Sequence, residues 1–495
     1  RHEEASVLAA EGWALATAEV GVAAVTAGPG LANALPGLVE AQAAGAPVLL
    51  LAGRTGLAQR GRGAVQDLDQ LALVAPTTKW HAECLRTERI PGHVAAALHQ
   101  ARSGSPGVAY LEVPLDVLVA RADPQPTEHP TGPPEEPARS VPPPEDLARA
   151  VEILASAERP VALAGSGAFF SGAADALRAF AERTGIPVIT TSAARGLLDD
   201  DHPGCLGGLI HGGIALASAD ACLLLGSRFN ANLLYGGPPL FPAGQRVIQV
   251  DVRPEHHGGE RRPDLALAGD VAATLRALAA AWSRPPGALA PWAEEARRGA
   301  EASRRSWERE AEGPARGLHP GWVARELARF ADAGGPHTFV SDGGDSVVWG
   351  LAMAPARRPG THLTIGSAMG TLGVGLPFAL AARAARPEEP VYLFTGDGAL
   401  GMTAMELETA ARHRLGVLVV VANNGPWREP SRMRHDLLAE AAGGYGERVE
   451  DPGGLGPALE RAARAARDGP AVIDAVVDPS AVSSFMRHAG ALQLM

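Results

Sequence analysis

Two short polar clusters carry the residue types needed to hold an ion against phosphate groups. One is Gly396-Asp397-Gly398 and the other is Asn423-Asn424, with Asn424 following Asp397 by 27 positions. A carboxylate, an amide oxygen and a nearby backbone carbonyl, that of Pro426, are hard oxygen donors of the kind Mg²⁺ accepts while sharing a substrate's phosphates. The glycines beside Asp397 let phosphate oxygens approach the backbone. Taken singly, the first cluster reads as a turn and the second as a strand-end cap. Their separation makes an ion site the better reading.

The elements that must position them are legible in the flanking sequence. Val391–Thr395 and Val417–Ala422 are apolar runs of strand length, and Met402–His413 has helical spacing. The stretch is therefore expected to be one parallel βαβ unit, with both clusters at the carboxyl ends of neighbouring strands, where α/β sheets bind ligands.

The rest of the chain reads as more of the same architecture, three parallel-sheet α/β domains spanning residues 1–120, 145–282 and 317–495. In the first, strands are expected at Val20–Thr26, Pro47–Ala52 and Val108–Val113, and helices at Glu4–Thr17, Gly30–Ala44 and Pro91–Ser103. Its Ala27-Gly28-Pro29-Gly30 turn lies between strand and helix, where backbone amides face outward. Glu3 and Glu4 read as first-turn acids favoured by the helix dipole, and His2, Gln66 and Gln70 as surface residues. Because a helix opens the chain where a parallel sheet needs an earlier strand, a first strand and loop are expected to precede Arg1.

Arg121–Pro144, dense in Pro, Glu and Thr, reads as a linker. The second domain should hold strands at Pro160–Ser166, Pro187–Thr191, Ala219–Ser227 and Arg246–Asp251 and a helix at Ala173–Thr184. Its Gly165-Ser166-Gly167 turn lacks a full GxGxxG. Ser283–Arg316 reads as a helical linker. The third domain opens with helix Trp322–Asp332, strand Thr338–Ser341 and the loop Asp342–Asp345, and runs to Met495 without further division beyond the βαβ unit.

Composition fits a large enzyme. The 495 residues are 46% hydrophobic, and no apolar run reaches the roughly 18 residues that span a bilayer. A net charge of −11 argues against nucleic acid or an anionic membrane as the main partner. Cys84, Cys205 and Cys222 have no metal spacing, so a reduced, cytoplasmic compartment is expected. The one lysine, Lys79, would have to serve any Schiff-base chemistry. A nucleotide-dependent oxidoreductase should show GxGxxG with an acid about 20 residues on, and neither is present in full. A non-catalytic regulatory relative would have no reason to keep Glu3, Asp397 and Asn424 together.

The paired clusters resemble the signature of thiamine diphosphate enzymes, and the whole chain is similar to the acetolactate synthase type. RHEEASVLAAEGWALAT and VTAGPGLANALPGL resemble the family's first domain, and IGSAMGTLGVGLPFALAARA the stretch before GDG. The resemblance implies pyrimidine-binding, middle and diphosphate-binding domains, thiamine diphosphate with Mg²⁺, and a homodimer or homotetramer in which the cofactor spans two subunits. It makes Glu3 the partner of N1′ of the aminopyrimidine, Gly370 the carbonyl for the 4′-amino group, Leu372 the wedge under a V-shaped cofactor, and Gln66 an active-site glutamine. Asp397, Asn424 and the Pro426 carbonyl would hold the metal, with Gly28, Gly344, Gly396, Gly398 and Ala399 around the cofactor. Glu3 would then favour the imino tautomer that deprotonates thiazolium C2.

Substrate choice rests on departures from the family pattern. Acetolactate synthases carry a lysine where this chain has Leu115, after Pro114. GSRFNANLLYGGPPLF (Gly226–Phe241) with VIQVDVRP resembles 2-hydroxyacyl-CoA lyases and oxalyl-CoA decarboxylases, and APTTKWHAECLRTERIP (Ala75–Pro91) resembles benzaldehyde lyase. These imply a carbon–carbon lyase acting on a 2-hydroxyacyl-CoA, with 2-oxo acids or acyloins as the alternative. Arginines 228, 246, 253, 261 and 262 could reach the phosphates of CoA. The middle domain is compatible with ADP, FAD or no nucleotide. A short segment after Asn424 suggests a seam near Trp427–Arg432, and Ser483–Met495 reads as either a lid or a frayed end.

Overall fold

Among the described residues every strand pairs in parallel with its neighbours, and that pairing sends all strand ends of one sheet to the same edge. The computed structural model describes residues 1–122, 138–425 and 433–491. Two compact units result, one of Arg1–Ala138 with Met369–Thr371 and the other of Arg139–Ala368 with Leu372–Met495.

The first unit holds a four-stranded sheet of β1 (Gly21–Val25), β2 (Val48–Arg54), β3 (Trp80–Glu83) and β4 (Val108–Pro114), in the order β1-β2-β4-β3. All seven residues of β4 are buried, as a strand covered on both faces requires. The helices Glu3–Thr17 and Pro29–Ala44 pack together beside it.

The second unit contains two six-stranded sheets. One is made of β5 (Pro160–Ala164), β6 (Val188–Thr190), β7 (Cys205–Gly208), β8 (Ala221–Leu225), β9 (Arg246–Asp251) and β10 (Leu265–Ala268), ordered β10-β9-β8-β5-β6-β7. The other is made of β11 (Thr338–Asp342), β12 (His362–Leu363), β13 (Val391–Gly396), β14 (Val417–Asn423), β15 (Tyr445–Val449) and β16 (Pro470–Val476), ordered β12-β11-β13-β14-β16-β15. The direction in which successive strands are added reverses between β5 and β8 in the first of these and between β11 and β13 in the second. Crevices at the carboxyl ends of those pairs are where such sheets take ligands.

The three parallel sheets are those expected from sequence. Two details differ. Met402–His413 is not one helix but two, Asp397–Thr403 and Glu406–His413. The segment read as a helical linker is a helix, Ala290–Ala311, yet it is packed rather than linking. Trp292, Ala296 and Ala300 face the β5–β10 core at i, i+4, i+8 spacing, the Trp292 indole N–H donates to the Pro160 carbonyl at 2.9 Å, and Ala311 joins the core under β11–β16. Most of the Arg121–Pro144 stretch lies outside the described residues.

The packed helices of the first unit hide an electrostatic conflict. Glu11 and Glu40 are completely buried, and none of their four carboxylate oxygens has a hydrogen-bond donor. Burial, reinforced by the neighbouring Glu40 carboxylate, pushes Glu11 well above the usual carboxylate range. A folded-state value above the unfolded one means that the stabilising contribution is complete below the unfolded value and is lost as pH rises through the folded one; each tenfold difference in proton affinity between the two states corresponds to about 1.4 kcal/mol. Glu11→Gln keeps the volume and adds an N–H facing Glu40. Thermal unfolding followed from pH 5 to pH 9 should therefore show the variant gaining on the wild type as pH rises. A constant difference across that range would mean that Glu11 is not held protonated.

Candidate functional site

The two polar clusters are brought together by neighbouring strands. β13 and β14 pair directly, with Gly396 opposite Ala422, so Asp397 and Asn424 leave the same sheet edge side by side. The Asn424 amide lies 3.2 Å from Asp397 Oδ1 when its nitrogen is turned toward the carboxylate. An ion placed there would turn the amide the other way and meet two hard oxygens. Burial raises Asp397 above its usual value, a cost that a cation reverses. Among the described residues no group of three or more His, Cys, Asp or Glu could hold a metal, so a transition-metal cage is not what this donor set offers. Pro426, Trp427 and Arg432 fall outside the described residues.

Around this pair lies a glycine-lined cradle. At Gly398 a Cβ would find no atom within 4 Å, and at Gly396 only Ser346 Oγ, at 3.0 Å. Across the β11–β13 crevice, Gly344 caps the helix Asp345–Met353 without a side-chain hydrogen bond. The space, the outward amides and the hard oxygens together suit a diphosphate carried with Mg²⁺.

A buried carboxylate that sequence reading leaves unassigned organises the loop behind the cradle. Asp342 is 1% exposed and accepts backbone N–H groups from Gly343 (2.6 Å), Gly373 (3.3 Å) and Gly375 (2.8 Å). Burial lifts it to about 6 despite these donors. Gly373 has φ of +88°, and its carbonyl accepts from Thr403 Oγ1 at 2.8 Å. Leu372 is thus held on a loop clamped at the adjacent residue from both sides. Gly370 also has positive φ, +71°, and a Cβ there would meet nothing within 4 Å.

The carboxy-terminal stretch is anchored at its start, and residues 492–495 lie outside the described residues. Ser483 N–H donates to the Asp345 carboxylate (3.1 and 3.3 Å), and Ser484 donates to Glu310 through its N–H (2.6 Å) and hydroxyl (2.7 Å). The helix Ser484–Ala491 follows, with Met486 Cε 4.0 Å from where a Gly344 side chain would begin.

In the first unit, Glu3 stands in the opening turn of its helix as expected. Backbone N–H donation and the Asn33 amide, 3.2 Å from its Oε2, hold Glu3 below the usual carboxylate range, so it is an anion at neutral pH. Gln66 has φ of +63° and packs on Gly28, where a Cβ would come within 2.8 Å of its own. Only glycine fits that contact.

Gln70 corrects a reading. Taken from sequence as a surface residue, it is fully buried: its Oε1 accepts the Gly28 N–H at 2.7 Å, and its Nε2 donates to Tyr110 OH and Glu112 Oε2, both at 3.0 Å. Arg54 Nη1 completes the network on Glu112 at 3.0 Å. The Lys79 ammonium donates to the Ser103 carbonyl, which leaves a Schiff-base role without support.

Three of the five arginines offered to CoA phosphates have partners within the chain. Arg246 donates to Ser156 Oγ and the Ile153 carbonyl, Arg253 pairs with Glu255, and Arg261 donates to the carbonyls of Gly236, Phe241 and Pro242. These three are engaged with their own chain. At the β5–β8 crevice the Gly165–Gly167 turn lies so close to the next loop that a Cβ on Gly167 would meet the Gly226 Cα at 2.7 Å.

Comparison with known proteins matches this geometry. Residues 1–73 match the model of the thiamine pyrophosphate enzyme N-terminal TPP binding domain, residues 147–278 its central domain, and residues 342–475 its C-terminal TPP binding domain. An acetolactate synthase large subunit of Mycobacterium tuberculosis is 34% identical, covering 97% of this chain and 88% of its own. A 2-hydroxyacyl-CoA lyase of Oryza sativa subsp. japonica is 31% identical over 99% of this chain and 90% of its own, and a 2-hydroxyacyl-CoA lyase 2 of Bos taurus is 34% identical over 87% and 73%. With the three regions matched in order and the relatives aligned over nearly the whole chain, this protein belongs to the thiamine pyrophosphate enzymes.

Proposed function

We propose that the protein is a Mg²⁺- and thiamine diphosphate-dependent carbon–carbon lyase that cleaves a 2-hydroxyacyl-CoA into formyl-CoA and an aldehyde or ketone. The observation that carries the cofactor half of this reading is the meeting of Asp397 and Asn424 beside an open glycine cradle. The substrate half is supported by lyases among the relatives and by Leu115, which is 57% exposed where a cation would serve a carboxylate substrate. Acetolactate synthases at similar identity make a carboligase acting on 2-oxo acids the competing reading.

When bound, thiamine diphosphate supplies the electron sink that lets a bond to a carbonyl carbon break. The chain's own groups would hold and tune it. Asp397 and Asn424 give the ion its oxygens. Ionised Glu3 can hold a proton at a ring nitrogen of the aminopyrimidine, and Leu372 presents an apolar wedge on its clamped loop. In the proposed cleavage the C1–C2 bond breaks, the C2 hydroxyl loses its proton to become the carbonyl product, and C1 gains a proton as formyl-CoA, so no water or oxidant is consumed. ADP or another nucleotide at the β5–β8 crevice belongs to the same reading, as does a homodimer or pair of dimers, which the exposure of Met402 and Met405 beside the cradle favours. Three buried free cysteines suit a reduced cytoplasmic setting, and no described helix is long and apolar enough to cross a membrane.

Asp397→Ala and Asn424→Ala should each abolish metal-dependent retention of thiamine diphosphate in calorimetric titrations, and wild-type affinity in either would overturn the metal assignment. Glu3→Gln should leave cofactor binding largely intact but slow exchange of the thiazolium C2 proton by roughly 10²–10⁴-fold in an NMR experiment. Unchanged exchange would reduce Glu3 to a helix-start acid. For the substrate, incubation with a short 2-hydroxyacyl-CoA should yield formyl-CoA by mass, while pyruvate and benzoin should give neither acetolactate nor benzaldehyde. The reverse pattern would favour the carboligase reading.

A further inference from the structure

Behind Asn424 lies a buried polar unit whose parts come from three strands and a helix. Asp474, on β16 and completely buried, accepts the Asn423 Nδ2–H at 2.8 Å on Oδ1. The same oxygen lies 3.3 Å from His435 Nδ1, at the start of the helix His435–Ala441, and Oδ2 pairs with Arg448 Nη1 from β15 at 3.1 Å. His435 is 1% exposed. Two donors, the Asn423 amide and the Arg448 guanidinium, and the His435 imidazole thus converge on one carboxylate, and His435 Nδ1 also lies 3.4 Å from Asn423 Nδ2.

The unit acts on the residue next to it. Asn423 has its Oδ1 3.4 Å from the Gly425 N–H, so one side chain reaches over Asn424 and ties together the residues on either side. The Asn423 carbonyl is fixed as well, accepting the Val477 N–H at 3.0 Å. Rotating the Asn423 amide would release Gly425 and let the Asn424 backbone turn. Asp474, with the shorter of two contacts on the Nδ2 end (2.8 Å, against 3.4 Å to the Met433 carbonyl), opposes that rotation and so biases which way Oδ1 of Asn423 points. His435 and Arg448 fix Asp474 in turn.

We propose that Asp474, held by His435 and Arg448, is the positioning residue that aims Asn424 at the ion. The proposal rests on the metal reading given above. None of the three touches the ion; each acts through Asn423. Because Asp474 sits 51 positions from Asn423, the strand pairing of β14 with β16 is what makes the connection.

The test is Mg²⁺ affinity in the presence of thiamine diphosphate, measured by calorimetry on the full chain, with Mn²⁺ electron paramagnetic resonance as a second readout of ligand geometry. Asp474→Ser should weaken affinity by roughly 10–100-fold, the range found when partners of metal ligands are removed. It should also change the Mn²⁺ spectrum. His435→Leu should weaken affinity in the same direction, whereas His435→Asn, whose amide keeps a polar contact in place of Nδ1, should restore it. Should Asp474→Ser fail to fold, the His435 pair decides. Wild-type affinity and spectrum in Asp474→Ser and His435→Leu would overturn the proposal if Asp397→Ala has lost the ion. Wild-type affinity in Asp397→Ala would instead overturn the metal reading beneath it. Equal losses in His435→Leu and His435→Asn would reduce His435 to packing and also count against the positioning role.

Discussion

The register between β13 and β14 is the constraint on which the site depends. Gly396 lies opposite Ala422, so Asp397 and Asn424 leave the edge one residue out of step, and a slip of one residue would move one past the other by about 3.3 Å and turn every buried side chain of the slipped strand to the other face. What holds the register is apolar: Tyr392 to Phe394 and Leu418 to Val421 are buried, and a slip would expose them or bury the polar ends. The proposed ion site, made of two polar residues, is thus specified by hydrophobic ones. Central strands covered on both faces leave little alternative packing.

The buried polar groups divide by the kind of compensation they receive. Asp342 and Asp474 are fully enclosed yet surrounded by donors, and each holds a loop that carries a proposed cofactor contact. Glu11 and Glu40 are enclosed without donors. Burying a carboxylate without hydrogen-bond donors is costly, and it is at Glu11, beside Glu40, that burial pushes the carboxyl well above its usual range. The same residue type thus serves as a hub of hydrogen bonds in one part of the chain and as an electrostatic liability in another.

Legibility in the sequence follows burial and distance along the chain. Long apolar runs such as Val391–Thr395 and Val417–Ala422 stand out, and the structure has them as β13 and β14. Of the strands that sequence reading misses, β3, β7, β10, β12 and β15 are all sheet edges, where short length and one open side leave no apolar run to see. The central strand β16 is missed for another reason, since Asp474 interrupts its apolar run. Asp397 and Asn424 are readable because their spacing lies within one βαβ unit. Asp474, His435 and Gln70 are not, since a polar residue gives no sign of partners 39 to 51 positions away. Gln70 even looks superficial in sequence, an isolated amide at a helix start, until Tyr110 and Glu112 meet it. Arg246, Arg253 and Arg261 differ in the opposite sense, because guanidinium groups that look available on paper are engaged with carbonyls and carboxylates of their own chain.

The helix Ala290–Ala311 has a bearing on how the second unit comes apart. Its Trp292 end is part of one core and its Ala311 end part of another, so neither sheet can shed its share of that helix without exposing the other's. Two sheets that look like separable modules therefore share a structural member, and local opening in one is coupled to the other through 22 residues of continuous hydrogen-bonded backbone. Cutting the chain between the two sheets would not yield two independent pieces but two incomplete cores.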